Sequence, residues 1–593
     1  MSEEFQNIPI RQVARDRMTF SALGAAAGFS LYVLSEIWPY PFWTAPALLA
    51  LLTFVAVFCV VLLTMIGPVR PMRAGMGAAA LAAATTILIS IAGQRYVVAT
   101  DVLESSATVG LAVLMVFMAT PFLTLWLRNP ARWRDYALLF EASWAMVMRF
   151  ALGWAFVGVF WVLVFLSDAL LEMVGITLFE YMFDVDWLAA LLSGAVLGLG
   201  LAVVYELRER LSPFLVLRML RLLLPLVLAV VALFIVALPF RGLSDLFGGV
   251  SSAGTLMAAS MASLTLVSIA VDREDSLMVS TRGLTSATRI LAMLQPVLAA
   301  LAVWAVYLRV AQYGWTPDRV LAMVFAALLL FYGAGYCIAG LSGSAWTRRL
   351  RAVNTGLALV AILVAAAWMT PLLNANKIAT QSQLSRFEDG RLKVDQVAFW
   401  SMQHDWGVAG QDGLEILAQM GDHPQAEAIR KAVSVAREGL DRYQFEQEIT
   451  DQAAPDELAR LVALMSVLPE GESVKVETFR RLPDYRRTQW LEGCERTQPN
   501  GQPGCAMVFG QFLPDPNRQA MFLFHDGNSK TRVHSVMFER NTVVAKEAYD
   551  PVRQEWPLLP YEALSLVQSG AFELKPRGGQ ALHVGDAVLE AVP

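Results

Sequence analysis

The sequence predicts an all-α bundle of about eleven membrane-spanning helices followed by a soluble C-terminal α+β domain, and three observations predict that fold class. Of the 593 residues, 56% are hydrophobic and only 16% charged, whereas charged residues make up about a quarter of a soluble domain. Apolar runs of about 20 residues, long enough to cross a bilayer, recur up to residue 374. Every lysine lies after that residue, which divides the chain into two parts of different composition.

Eleven apolar segments of the first part meet the length requirement, and each is predicted to be one span. The third and eighth segments are rich in Ala, Ser and Gly, whose small side chains suit close contact between helices better than contact with lipid. We therefore expect these two spans to pack in the interior. The predicted spans cover residues 19–37, 43–66, 76–93, 107–127, 150–171, 187–205, 222–240, 253–271, 290–310, 320–341 and 353–373.

The charges of the connecting segments predict the orientation of the spans. Cytoplasmic loops retain Arg and Lys, whereas short translocated loops lose them. Nineteen arginines lie before the first span or after spans two, four, six, eight and ten, and only Arg95, Arg241, Arg309 and Arg319 lie at the other connections. This alternation predicts that residues 1–18 are a cytoplasmic N-terminus. Because the number of spans is odd, the C-terminal part is predicted to lie outside the cytoplasm.

The C-terminal part is predicted to contain a helical segment at 375–470 and a β-rich segment at 471–593. In the first, apolar residues such as Leu414, Leu417 and Ile429 recur mostly at spacings of three and four. In the second, a hairpin is indicated by Asp526 and Gly527, which lie between two apolar runs. The predicted strands are 474–476, 506–512, 520–524, 533–538 and 543–548.

Two of the four cysteines, Cys494 and Cys505, are the pair in the soluble part, whereas the others lie within predicted spans. The turn formers between them could bring the two sulfurs together. A disulfide persists only in an oxidising compartment, which agrees with the predicted location of this domain. Two unrelated reduced thiols are the alternative.

Two short motifs carry a resemblance to a known family. The first lies between two late spans and runs Tyr313, Gly314, Trp315, Thr316, Pro317, Asp318 and Arg319; the second contains Asn374, Asn376, Ile378, Gln381, Ser382, Gln383, Leu384, Arg386 and Gly390. In this order they resemble the bacterial membrane family called domain of unknown function 4153, and the likeness extends from the early spans to about Met420. The resemblance implies a bacterial envelope protein with many spans and an attached soluble region, and it supplies no catalytic residues.

Gln295 is the candidate for a polar site within the membrane. It precedes Pro296 in the ninth predicted span, which leads into the first motif. A proline leaves one helical carbonyl without its usual partner and can open a polar notch. The alternative is a packing kink in which the amide bonds to a neighbouring helix, and this is the commoner arrangement.

The other binding candidates lie near the outer ends of the last spans. Tyr313 and Trp315 could form a platform with Arg319, because a guanidinium pairs bidentately with a phosphate or carboxylate. An interfacial anchor needs the same residue types and is the simpler explanation. An enzyme acting at this surface would need further converging polar groups, and the candidates for these are Asn374, Asn376 and Arg386.

Several classes of function are disfavoured by the sequence. The five histidines form no pair with metal-ligand spacing, so no metal site is predicted. The chain has no phosphate-binding glycine loop and no nucleophile elbow, and we expect neither a cofactor nor an enzymatic activity. It also has no basic stripe of the kind that binds nucleic acid. The predicted partners are the lipid bilayer and other envelope proteins.

Together these features predict an inner-membrane protein whose bundle presents a periplasmic domain for binding, sensing or scaffolding in the cell envelope. Two alternatives remain open. The first is a transporter or lipid-handling protein, which requires a wide cavity among the spans near Gln295 and Pro296. The second is a membrane-embedded enzyme acting on envelope lipid or cell-wall precursors, which requires polar side chains that converge at the outer interface.

Overall fold

A computed structural model of the chain shows a helical membrane part followed by a mixed α/β part. The residues that it describes are 10–37, 44–174, 185–206, 214–241, 252–279, 281–392, 394–421, 423–446, 455–469, 471–479, 482–498, 501–513, 515–526, 530–538, 543–549, 558–576, 580–584 and 587–589.

Within these ranges, eleven helical segments are long and apolar enough to cross a membrane, which confirms the predicted fold class. The seventh segment, Met219–Leu238, extends across two consecutive helices. The helices of the membrane part are α1 (Ile10–Ile37), α2 (Ala45–Met65), α3 (Pro71–Gly93), α4 (Ser106–Arg128), α5 (Tyr136–Glu172), α6 (Asp186–Glu206), α7 (Phe214–Arg221), α8 (Leu224–Arg241), α9 (Ser252–Val271), α10 (Arg282–Tyr313), α11 (Pro317–Gly340) and α12 (Trp346–Trp368).

Two of these helices are much longer than the spans predicted for them. The 37 residues of α5 and the 32 residues of α10 would extend about 55 and 48 Å at 1.5 Å per residue, more than a hydrocarbon core of about 30 Å. The segments of these helices that precede the predicted spans are helical but carry charged residues, among them Glu141 and Arg289. Hydropathy therefore marks where the chain enters the hydrocarbon and not where the helix begins.

The predicted interior position holds for one of the two small-residue spans. In the apolar stretch of α9, 50% of the residues are buried. In the apolar stretch of α3 only 33% are buried, the same fraction as in α2. The most buried span is α4, at 56%, which packs against α3, α5 and α12. A small side chain permits close packing, but the number of neighbouring helices decides how much of a span is buried.

The chain forms two compact units. The first comprises Met1–Asp389 and His404–Gly413, and the second comprises Gly390–Gln403 and Leu414–Pro593. The helix that follows the last span, α13 (Ala375–Glu388), therefore belongs to the same unit as the spans. The bundle unit extends beyond residue 374, and the chain passes between the two units three times.

The second unit contains a mixed sheet with the strand order β1-β2-β3-β4-β5, and β6 also pairs with β4. Among the described strands of this sheet, β1 and β2 pair in parallel and the other neighbours pair antiparallel. A smaller sheet has the order β7-β8-β9. The later helices are α14 (Phe399–His404), α15 (Gly407–Ala418), α16 (Ala426–Arg437), α17 (Pro455–Leu464), α18 (Asp484–Glu495) and α19 (Ala563–Gln568). The strands are β1 (Ser466–Leu468), β2 (Cys505–Phe509), β3 (Arg518–His525), β4 (Lys530–Phe538), β5 (Val543–Glu547), β6 (Leu559–Pro560), β7 (Glu573–Pro576), β8 (Gln580–Val584) and β9 (Ala587–Leu589).

Apolar side chains cover both faces of the mixed sheet. Trp490 of α18 packs with Phe522 on one face, and Leu564 of α19 packs with Leu523 on the other. Successive residues of a strand point to opposite faces, so a sheet covered on both sides gives nearly continuous apolar runs. All five residues of β2 and seven of the eight in β3 are buried.

Four of the five predicted strands correspond to β2, β3, β4 and β5. The strand predicted at 474–476 is wrong, because the chain enters a 3₁₀ helix at Val476–Phe479. The first strand, β1, was not predicted, since its three residues directly follow α17 and read as more of the same apolar helix. The antiparallel pair β3 and β4 agrees with the predicted hairpin, whose turn residues 527–529 lie outside the described residues.

Candidate functional site

The turn between α10 and α11 forms the centre of the candidate site. Gly314 has a φ of +77°, and its N–H donates to the carbonyl of Val310 at 2.8 Å, which ends α10. The Thr316 hydroxyl then accepts from the N–H of Arg319 at 3.3 Å, and Pro317 occupies the first position of α11. Glycine after the end of one helix, with threonine and proline opening the next, is a favourable sequence for so short a turn.

Helix α13 binds this turn through three of its side chains. Ser382 accepts from the N–H of Trp315 at 3.1 Å, and Gln383 donates to the carbonyl of Tyr313 at 3.5 Å. Arg386 donates from Nη2 to the carbonyls of Ala311 and Gln312 at 3.1 and 2.8 Å, respectively. The two motifs that carry the family resemblance are therefore in contact. A Cβ at Gly314 would lie 2.8 Å from Cδ of Arg386, so glycine also permits this approach.

Two arginines surround the exposed ring of Tyr313. The guanidinium carbon of Arg319 lies 5.4 Å from the ring centroid and that of Arg309 lies 6.0 Å away. Arg319 also donates to the carbonyl of Gly314 at 2.8 Å. Trp315 is partly buried and packs against an apolar cluster of the bundle. The exposed aromatic platform is therefore formed by Tyr313.

The two asparagines predicted for this surface lie in the first turn of α13. Asn374 is its N-cap, with Oδ1 accepting from the N–H of Lys377 at 3.2 Å. This is an ordinary role for asparagine at a helix start. Asn376 is buried, with only 8% of its surface exposed. The side chains that meet at the turn are those of Arg319, Ser382, Gln383 and Arg386.

Gln295 lies at a tight contact between helices. It is fully buried, and its Oε1 accepts from Ser260 of α9 at 3.2 Å. On the side of α11, a Cβ at Gly333 would lie 3.0 Å from the backbone of Gln295 and Pro296. The amide therefore bonds to a neighbouring helix at a close-packed position. Among the described residues its nitrogen has no hydrogen-bond partner.

Side chains of four helices form a hydrogen-bonded network that the sequence did not predict. Asn354 of α12 accepts from Tyr336 of α11 at 2.6 Å and donates to Tyr136 of α5 and Ser268 of α9, at 3.3 Å in each case. Because Tyr336 donates to Asn354, its 2.6 Å contact with Ser268 requires the serine to donate. Each of the four helices contributes one residue to the network, and no local sequence pattern connects that residue to the others.

Near this network, two arginines hold the C-terminal end of α9. Asp272 is buried, has a φ of +55° and is ion-paired with Arg221. Arg221 also donates to the carbonyl of Ile269 at 3.0 Å, and Arg351 donates to that of Val271 at 2.9 Å. The last carbonyls of a helix have no intrahelical partner. In the sequence these arginines contributed only to the prediction of topology. In the structure they also bind the free carbonyls at the end of a helix.

Other arginines bind helix ends in the same way. Arg149 donates to the carbonyls of Leu63 and Thr64 at 3.3 and 3.1 Å, and Arg289 donates to that of Gly340 at 2.6 Å. Arg95 donates to the carbonyls of Trp368 and Thr370, both at 2.6 Å. A guanidinium has five N–H donors and retains its charge at any relevant pH, which makes it a suitable cap for several carbonyls.

The C-terminal unit contains a buried histidine that accepts a hydrogen bond from a tryptophan and lies beside an arginine. His534 accepts from Trp490 at 2.9 Å through Nδ1, and its Nε2 lies 3.0 Å from Nη1 of Arg486. Burial, together with the charges of Arg486 and Arg532, lowers the pKa of His534 to about 3. The ring is therefore neutral at physiological pH. A shallow cavity of about 600 Å³ on α18 is lined by Tyr485, Arg486, Thr488, Gln489 and Glu492.

The predicted disulfide is present. Cys494 of α18 and Cys505 of β2 are bonded, with their Cα atoms 4.7 Å apart, and both are fully buried. The remaining cysteines, Cys59 and Cys337, are free thiols. Within the part of the chain that the structure describes, no group of three or more His, Cys, Asp or Glu side chains is arranged to hold a metal ion.

The fold and the site define a multi-pass membrane protein with an attached disulfide-bonded α+β unit. Residues 23–403 match the family described as Domain of unknown function (DUF4153). The match covers more than half of the chain and includes both motifs, so this chain belongs to that family. No curated protein and no solved structure matches the chain.

Proposed function

We propose that this protein is a bacterial inner-membrane protein whose bundle anchors and positions a periplasmic domain for binding, sensing or scaffolding in the cell envelope. The observation that carries the proposal is the docking of α13 on the turn between α10 and α11. Ser382 accepts a hydrogen bond from this turn, Gln383 and Arg386 donate to it, and these bonds fix the helix through which the chain leaves the last span. A passive anchor would need only a flexible linker at this point.

A second docking contact supports the same proposal. After its first passage into the second unit, the chain returns, and the N–H of Val408 donates to the carbonyl of Arg95 at 2.8 Å. Gly407 has a φ of +58°, and a Cβ there would lie 2.2 Å from the same carbonyl oxygen. The side chain of Arg95 in turn holds the end of α12. The membrane part therefore binds the following chain at two separate places.

Two further features support the periplasmic location. The disulfide between Cys494 and Cys505 requires an oxidising compartment to persist. The arginine pattern of the connecting segments independently predicts that an odd number of spans carries the C-terminal part out of the cytoplasm. The two arguments use different residues and different physics, and they agree.

The two alternative functions have less support. A transporter with a cavity near Gln295 and Pro296 is disfavoured by the close contact of Gly333 with their backbone. An enzyme at the outer interface needs further polar side chains that converge on a substrate, whereas Arg386 donates to carbonyls of α10, Asn374 caps α13 and Asn376 is buried. We therefore retain positioning as the function that the geometry favours.

The proposal can be tested by loosening α13 without disturbing the spans. The double variant Ser382→Ala/Arg386→Ala removes hydrogen bonds that each contribute about 1 kcal/mol. We expect it to insert at normal abundance but to fail to restore a deletion strain profiled against envelope stresses. Faster hydrogen exchange in α13 would verify that the helix has been released.

The matched control is Lys377→Ala/Ser385→Ala, which changes an exposed cation and an exposed serine of the same helix. It should restore the strain as well as the wild type does. Full restoration by the released variant, with α13 shown to exchange rapidly, would rule out positioning as the function.

A further inference from the structure

The C-terminal end of α10 brings several cations together at one exposed tyrosine. The ring of Tyr313 is 52% exposed, and the guanidinium groups of Arg309 and Arg319 lie within 6.0 Å of its centroid. Arg386, which binds the neighbouring carbonyls, acts electrostatically on Arg319 as well. Asp318, in the first turn of α11, is the carboxylate adjacent in sequence to Arg319. The positive charges of the three arginines outweigh the negative charge of Asp318, so this surface attracts anions.

The aromatic residues of α10 place this surface beside the membrane. Trp304 and Tyr307 are 47% and 51% exposed, and their ring centroids lie 5.5 Å apart. Exposed Trp and Tyr side chains on a span concentrate where hydrocarbon meets the headgroup layer. Arg309 lies two residues beyond Tyr307, about 3 Å along a helix, and Tyr313 lies six residues beyond Tyr307, about 9 Å. The arginines therefore occupy the level of the lipid headgroups.

We propose that Arg309, Arg319 and Tyr313 bind the phosphate of an anionic phospholipid in the leaflet at this end of α10. A guanidinium presents a planar pair of donors that matches the oxygens of a phosphate, and the tyrosine hydroxyl adds a further donor. The level of these residues along the helix, next to the headgroup layer, favours a phospholipid over a soluble phosphate as the source of that group.

This inference goes beyond the proposed function, because it concerns the lipid-facing surface of the bundle. It does not depend on what the C-terminal unit binds or whether α13 positions it. Loss of lipid binding without loss of envelope function would separate the two proposals.

The test uses the full-length protein in detergent and native mass spectrometry, with phosphatidylglycerol titrated against phosphatidylcholine. We expect the wild type to retain one phosphatidylglycerol in preference to phosphatidylcholine. Arg309→Gln should weaken that binding about tenfold, since a charge-assisted hydrogen bond is lost. Arg319→Lys, which keeps the charge but loses the planar fork, should weaken it severalfold.

The matched control is Arg282→Gln, which removes an exposed arginine from the opposite end of the same helix. Its binding of phosphatidylglycerol should equal that of the wild type. Equal weakening by the control, or no preference for the anionic lipid in the wild type, would overturn the proposal. Displacement of the lipid by inorganic phosphate at a similar concentration would also overturn it, in favour of a soluble ligand.

Should either arginine variant fail to fold, Tyr313→Phe provides the same test, because it removes only a hydroxyl group from an exposed ring. The expected result is a severalfold weaker binding of phosphatidylglycerol. Unchanged binding in this variant would contradict the assignment.

Discussion

At the scale of single residues, arginine has two roles in the membrane part. Its distribution between connecting segments predicts topology, and its side chain binds helix ends. Carbonyls at the boundary of the hydrocarbon find little water, so a donor from the protein must satisfy them. This second role also explains Arg95 and Arg319, two of the arginines that depart from the predicted charge pattern. Each donates to backbone carbonyls at its own end of the bundle.

His534 contributes to the way in which the stability of the C-terminal unit depends on pH. Its pKa is about 3 in the folded chain, compared with about 6.5 for an ordinary histidine. Because the folded pKa is the lower one, the unfolded chain takes up a proton first as pH falls. The stabilisation is complete above pH 6.5 and is lost progressively toward pH 3. Burial lowers the pKa of His525 as well, and this contribution has the same sign.

We therefore predict that the C-terminal unit loses about 2 kcal/mol of unfolding free energy between pH 6.5 and 5 through His534. The replacement His534→Gln, which keeps an acceptor for Trp490, should flatten this dependence although it lowers stability at pH 7. Hydrogen exchange of β4 in the full-length protein at several pH values measures the effect.

The matched control for this experiment is Thr488→Ala, an uncharged and exposed position on α18. It should keep the pH dependence of the wild type. A pH dependence that is equally steep in His534→Gln would show that another group is responsible.

At the scale of elements, the packing of α1 against α6 depends on glycine. Gly24 and Gly28 face Gly194 and Gly198, at the same spacing of four on both helices. A Cβ at Gly194 would lie 2.1 Å from the carbonyl oxygen of Gly24, so no other residue fits without movement. Small residues at this spacing let two backbones approach closely in a membrane, where van der Waals contact drives association.

We predict that Gly194→Ala destabilises the bundle by about 1–3 kcal/mol, because the added methyl group forces the two helices apart. The control is Gly158→Ala in α5, where a Cβ would meet no atom within 4 Å. Alanine favours a helix over glycine by about 1 kcal/mol, so the control should be neutral or slightly stabilising. Thermal unfolding of both variants in detergent compares them. Equal melting temperatures would contradict the contact between α1 and α6.

At the scale of the whole molecule, the proposed orientation places the two termini on opposite sides of the membrane. An alkaline phosphatase fused after Pro593 should therefore be active, since that enzyme needs an oxidising compartment to form its disulfides. The same reporter inserted between α4 and α5, at residues 129–135, should be inactive. Activity in the opposite pattern would invert the topology and remove the environment that the disulfide requires.

The sequence could predict which side chains belong to the candidate site, but not which groups they bind. Tyr313, Arg319 and Arg386 were candidates because their residue types suit an interface and two motifs flank the last spans. The partners of Arg319 and Arg386 are backbone carbonyls, which every residue has, so no side-chain pattern could reveal them. The predicted platform residue Trp315 packs inward instead, because the turn at Gly314 directs its ring toward the bundle.

The number of spans, the family and the cysteine pair were determined by the sequence alone, because each depends on a local property. Crossing hydrocarbon requires about 20 consecutive apolar residues, and the cysteines are separated by only 11 positions. The tertiary structure alone decided which polar groups meet. Tyr136 and Asn354 are 218 residues apart, yet they share a hydrogen bond. Such contacts arise from the packing of whole helices, and one helix does not specify its neighbours.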